Sequence, residues 1–211
     1  MNSTVEQIYS SKVASGYDRS MSHFFGKFKE KAFSNSRMKE GDVVLVFCCG
    51  TGLDFPHILH RIGSSGKITG VDFSEAMLEQ AEKKISKNNW NNIELIRADV
   101  TDFGNRLNLV ADIGVCTLGL SIIPDFKSAY HNLLSNVIDK GEIIIGDMQL
   151  ASGWKARLNP VTIAMAKRFG GSYEGHKNSL ELQSMMAGTL NDMKKKDFFL
   201  GSYYVCIGTK Q

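Results

Sequence analysis

Between Asp42 and Gly146 the hydrophobic pattern switches repeatedly between short β-branched runs and stretches with helical spacing. The first run, Val43-Val44-Leu45-Val46-Phe47, is apolar throughout, as a strand covered on both faces should be. After the turn Gly63-Ser64-Ser65-Gly66 comes a second, Lys67-Ile68-Thr69-Gly70-Val71. Ser74 then predicts a helix cap with Glu75 in the first turn, where the helix dipole favours negative charge. Leu78, Ala81 and Ile85 give that helix an apolar stripe, and Asn88 to Asn92 break it. Further strands are predicted at Ile93–Arg97, Asp112–Cys116 and Glu142–Gly146. The helix before the last of these carries Phe126, Ala129/Tyr130, Leu133 and Val137 on one face, and Asp139-Lys140-Gly141 ends it. Alternation of this kind predicts a mostly parallel sheet with crossover helices. On either side, residues 5–38 and 151–170 read as helical, the latter broken at Asn159-Pro160. Phe198 to Ile207 reads as two strands joined by a tight Gly-Ser turn.

Composition narrows the class. A chain of 211 residues with 43% hydrophobic and 22% charged residues suits a single globular α/β domain. The expected organisation is a helical cap (1–38), a cofactor-binding core (42–150), a substrate-side insert (151–190) and a terminal hairpin (197–209). A formal net charge of +3 argues against a dedicated nucleic-acid binder. The short basic clusters Lys27/Lys29/Lys31 and Lys194-Lys195-Lys196 read as solvated faces. No secretory leader or membrane-spanning run is expected, and the four cysteines have neither metal spacing nor obvious pairing. The expected compartment is therefore cytoplasmic.

Three features carry chemistry. Cys49-Gly50-Thr51-Gly52 follows the first strand and precedes a helix, so its glycines let the backbone turn and approach a ligand closely. Asp72 ends the second strand, where a carboxylate can accept from both hydroxyls of a ribose. Ala98-Asp99-Val100 ends the third, where an acid can accept from an adenine amine. All three sit at carboxyl ends of successive strands, the edge at which open α/β sheets bind ligands. Phe55 occupies the place where a dinucleotide fingerprint wants a small third residue, and it is expected to hold helix and strand apart. No P-loop string occurs. The combination describes an adenosine cradle without a good pyrophosphate cradle, which S-adenosylmethionine satisfies.

These residues resemble class I S-adenosylmethionine-dependent methyltransferases, in particular the ubiquinone/menaquinone biosynthesis C-methyltransferase branch. Val44 to Gly52 is similar to the first motif of that family and Gly70-Val71-Asp72-Phe73-Ser74-Glu75-Ala76-Met77-Leu78 to its second. Ala98-Asp99-Val100 resembles the adenine-binding step, and Tyr17-Asp18-Arg19 a signature whose tyrosine helps cover the cofactor. The resemblance implies a Rossmann-like, mostly parallel seven-stranded sheet with an antiparallel terminal hairpin and helices on both faces. It implies cofactor contacts from Tyr17, Cys49, Gly50, Thr51, Gly52, Asp72, Phe73, Met77, Asp99, Val100 and Cys116, and no metal. Val46 departs from the family, which usually has an acid there that helps hold the amino-acid end of the cofactor. Either Asp54 compensates, or cofactor affinity is weakened, or the chain binds the cofactor without transferring its methyl.

In-line transfer from a sulfonium depends mainly on positioning, so no compact catalytic triad is expected, and none is visible. The candidate acceptor-side residues are Tyr17, His23, Phe24, Leu118, Met148, Trp154, Tyr173 and His176. His23, His176 and Tyr173 are the candidates for proton transfer. The insert from Trp154 to Phe169 mixes apolar and basic residues, which suits a lipophilic or aromatic small acceptor, a quinone precursor or a lipid-like molecule, with peripheral membrane contact. Nucleic acid is not an expected partner, and the sequence does not give the oligomeric state.

Overall fold

The computed structural model describes residues 29–30, 33–104, 110–167 and 172–211; the expectations for Tyr17, His23 and Phe24 lie outside these. The elements are β1 (Val43–Phe47), α1 (Phe55–Ile62), β2 (Lys67–Asp72), α2 (Glu75–Asn88), β3 (Ile93–Arg97), β4 (Ala111–Thr117), α3 (Phe126–Ser135), β5 (Val137–Met148), α4 (Asn159–Lys167), α5 (Tyr173–Thr189), β6 (Leu190–Phe198) and β7 (Tyr203–Lys210). The strands form one sheet in the order β3-β2-β1-β4-β5-β7-β6. β1 pairs in parallel with both β2 and β4, whereas β7 runs antiparallel to β5 and β6. The strand order therefore reverses direction at β1, and a crevice opens there at the carboxyl ends of β1 and β4.

β1 shows how the pattern builds the core. Leu45 and Phe47 join the apolar cluster that includes Tyr130 and Leu133 of α3 and Leu182 of α5. Val44 and Val46 join the opposite cluster, with Phe55 and Ile58 of α1 and Ile85 of α2. Alternate side chains thus feed the two faces, and a strand covered on both must be apolar at every position.

Phe55 does not hold helix and strand apart. Its ring lies where side chains on Gly52 and Gly70 would be: a Cβ on Gly70 would stand 2.9 Å from Phe55 Cζ. Two missing side chains make room for one large ring, which is fully buried.

Three boundaries depart from the sequence pattern. α3 ends at Ser135, and Val137 opens β5 opposite Ala111 instead of closing the helix stripe. The Asp139-Lys140-Gly141 stretch is an irregularity inside β5, where the register shifts between Ala111 and Ile113. The hairpin begins at Leu190, well before Phe198, because Lys194, Lys195 and Lys196 lie on the edge strand β6, a position where lysines discourage pairing with another chain. As expected of a solvated face, all three are exposed.

Gly70→Ala overfills the space taken by the Phe55 ring and is expected to lower unfolding free energy by about 1–3 kcal/mol. Urea denaturation checks this, and an unchanged midpoint would contradict the packing described.

Candidate functional site

The segment after β1 winds through left-handed backbone at Cys48 (φ 51°), Gly50 (φ 53°) and Gly52 (φ 73°). At Gly50 and Gly52 that conformation is cheap only for glycine. Asp72, at the end of β2, fixes the loop: its Oδ2 accepts from the Gly50 amide at 2.8 Å and its Oδ1 from the Ser74 amide at 2.9 Å. One carboxylate thereby ties the loop after β1 to the start of α2. Ser74 caps α2, accepting from the Met77 amide at 3.4 Å. Burial raises the pKa of Asp72 above the ordinary aspartate value of 3.8, against the opposing pull of these amides.

On the β4 side of the loop stands a buried charge pair. Lys29 Nζ lies 2.8 Å from Asp54 Oδ1 and donates to Thr117 Oγ1 at 2.9 Å, and Thr117 Oγ1 donates to Asp54 Oδ2 at 2.6 Å. Lys29 and Asp54 are each 5% exposed, so the solvated face expected for the Lys27/Lys29/Lys31 cluster is wrong at Lys29. The reason is Asp54 at the amino end of α1, which draws the ammonium inward. The chain leading away from Lys29 is anchored on β5: Glu142 accepts from Ser36 Oγ and from the Arg37 amide. Arg61 Nη2 adds bonds to the carbonyls of Ser36 and Met38 at 3.0 and 3.2 Å.

The loop after β4 forms the third wall. Asp147 Oδ2 accepts from the Ser121 amide at 2.8 Å and its Oδ1 from Ser121 Oγ at 2.7 Å, which fixes the short helical turn Leu120–Ile122. Together these walls frame a cleft whose empty space, open mouth included, is about 790 Å³.

Of the sequence-predicted contacts, Cys49, Gly50, Thr51, Asp72, Phe73, Met77 and Val100 line the cleft. Gly52, Asp99 and Cys116 do not. Gly52 shapes the loop under Phe55. Asp99 accepts from the amide and hydroxyl of Thr101, at 2.9 and 2.7 Å, and caps the turn Val100–Asp102. Cys116 turns into the core beside Cys48, a contact that together with burial raises its thiol pKa. His176 lies in the first turn of α5, buried, with neither ring nitrogen hydrogen-bonded among the described residues, and burial lowers its pKa. It does not line the cleft, and Tyr173 is 61% exposed under the ammonium of Lys177. Among the described residues no cluster could hold a metal ion. Sequence reasoning missed Lys29 and Thr117 as cleft residues; the available signal was Asp54, an acid just beyond the glycines that needs a partner once buried.

Glycine loop, strand-end carboxylate and an apolar floor of Ala98 and Val100 define a site for an adenosine-containing ligand on a Rossmann-like sheet. Residues 38–194 match the family model described as "Methyltransferase domain". The chain belongs to the class I S-adenosylmethionine-dependent methyltransferases. It is 27% identical over 173 residues to a demethylmenaquinone methyltransferase of Listeria monocytogenes, covering 77% of this chain and 73% of that one. Its fold is similar to a SAM-dependent methyltransferase from Aquifex aeolicus (TM-score 0.65, 16% identity, 87% and 89% of the two chains). It is also similar to an rRNA methylase from Streptococcus thermophilus (TM-score 0.59, 12% identity, 87% and 94%).

The residues present fit S-adenosylmethionine, which supplies a methyl group activated on a sulfonium. The half-buried Asp72 carboxylate keeps lone pairs that ribose hydroxyls could use beyond the two amides it already holds.

Asp72→Asn is expected to weaken S-adenosylhomocysteine binding about ten- to hundred-fold, since hydrogen bonds to a charged group contribute about 1.5–3 kcal/mol. Calorimetric titration reads this directly. A ribose contact would need the ionised form of Asp72, so affinity in the wild type is expected to fall as pH drops through a pKa above 3.8. The variant should lack that dependence. Equal affinity in both proteins would remove Asp72 from the site.

Proposed function

We propose that the methyl acceptor is a small lipophilic or aromatic molecule, a quinone precursor or a lipid-like compound, reached at a membrane surface from the cytoplasmic side. The carrying observation is the surface of the insert after β5. Trp154 is 76% exposed, with Leu158 and Val161 exposed beside it. From Ser152 to Ser172 there is no acidic residue, while Lys155, Arg157, Lys167 and Arg168 are basic. An apolar and cationic surface suits contact with anionic lipid. The insert leaves β5 at its carboxyl end, the edge of the sheet that carries the cleft. Among the described residues no helix is long and apolar enough to cross a membrane, so the contact proposed is peripheral. The four cysteines are free thiols, which supports a reducing compartment.

Within the cleft, Leu118, Ile122 and Ile123 give the β4 side an apolar wall suited to such an acceptor. Methyl transfer from a sulfonium draws chiefly on positioning, worth up to about 7–11 kcal/mol when reacting groups are well oriented. The relative from Listeria supports the reading, because its name gives a quinone as acceptor. A nucleic-acid acceptor is less favoured: the described cleft is lined by a single cationic side chain, Lys29, and not by a basic stripe that could track a phosphate backbone.

Purified enzyme with labelled S-adenosylmethionine should methylate a demethylated isoprenoid quinone in anionic vesicles. Trp154→Ser/Val161→Ser should raise KM for that acceptor several-fold and leave S-adenosylhomocysteine affinity unchanged. Methylation of polar metabolites or rRNA alone would overturn the proposal.

A further inference from the structure

A buried ion pair is costly to desolvate and is weak evidence for stability, so its placement against a ligand cleft asks for a second explanation. Lys29, Asp54 and Thr117 all line the cleft. Among the described residues their bonding is incomplete. An ammonium has three hydrogens, and among the described residues Lys29 makes one hydrogen bond, to Thr117, and one ion pair, to Asp54. Asp54 Oδ2 accepts from Thr117, but the buried Oδ1, although ion-paired, accepts no hydrogen bond among the described residues. Among the described residues the cluster therefore presents one positive and one negative group, each buried and with unused valence, side by side at the cleft.

We infer that Lys29 and Asp54 form the subsite for the zwitterionic amino-acid end of the cofactor: Lys29 Nζ donates to its α-carboxylate, and Asp54 Oδ1 accepts from its α-ammonium. An α-amino acid carries one charge of each sign on adjacent atoms, which is the complement of this pair. The placement agrees. Asp72, Ala98 and Val100 hold the β2 and β3 side of the cleft, Thr117 ends β4 on the other, and the glycine loop lies between. A nucleoside seated over Asp72 directs its 5′ substituent across the loop toward Lys29 and Asp54. Val46 is buried in the core between Gly70 of β2 and Val115 of β4 and does not line the cleft, so the acid in this half of the site comes from α1 instead. The inference rests on the cofactor and not on the acceptor reading.

The test compares two ligands on the full chain by calorimetry: S-adenosylhomocysteine, and 5′-methylthioadenosine, which keeps the adenosine and thioether but lacks the amino-acid end. Removing one charge strands the other, so the main variant is Lys29→Met/Asp54→Asn, with thermal melting as the check on folding. Wild type should prefer S-adenosylhomocysteine by ten-fold or more, and the double variant should lose that preference while binding 5′-methylthioadenosine as wild type does. An undiminished preference, or equal weakening of both ligands, would overturn the assignment. A second arm needs no variant: wild type should bind decarboxylated S-adenosylmethionine at least ten-fold more weakly than S-adenosylmethionine, and equal affinity would remove Lys29 from the subsite. If wild type binds none of the four ligands, the cofactor site itself is refuted, whatever the acceptor assay shows.

Discussion

The site depends on one carboxylate. Asp72 holds the amides of Gly50 and Ser74 at 2.8 and 2.9 Å, so the turn after β1 and the start of α2 are set by the same pair of oxygens. Without it the left-handed turns at Gly50 and Gly52 would lose the bond that fixes them at the strand edge. Burial that would otherwise favour a neutral acid is opposed by those amides, and the group remains poised to accept more. In the proposed site the structural anchor is also the ligand acceptor, so a substitution there should be felt in both roles.

The sheet supplies the rigid frame. Parallel pairing of β1 with β2 and β4 brings three strand ends together at the point where the order reverses, and Phe55 packed over Gly52 and Gly70 holds α1 against them. Asp54 at the head of α1 is thereby carried to Thr117 at the end of β4. The cleft then has two unlike ends: an anionic acceptor over β2, and a paired charge beside β4. That polarity matches a cofactor with a nucleoside at one end and an amino acid at the other.

Much of this was legible in the sequence because it is local. An unbroken apolar run, glycines directly after it and an acid closing the next strand are all short-range patterns, and Gly50, Asp72 and Val100 do line the cleft. What was not legible depends on distant pairing. Lys29 looks like any surface lysine until Asp54 and Thr117, far along the chain, are brought to it by the fold. Asp99 reads as a base acceptor from its place after β3, and the Thr101 contacts show its Oδ1 engaged in capping the next turn. Val137 fits a helix stripe by spacing, but strand pairing with Ala111 outweighs that local preference. Phe55 misled for a related reason: a large residue is judged by the gaps its neighbours leave, and those lie on Gly52 and Gly70.

The most direct test is a crystal structure of the protein with S-adenosylhomocysteine. The account predicts ribose hydroxyls on Asp72, adenine over Ala98 and Val100, and the α-carboxylate and α-ammonium on Lys29 and Asp54. A ligand bound with Asp72 free of the ribose, or lying outside the β1–β4 crevice, would contradict it.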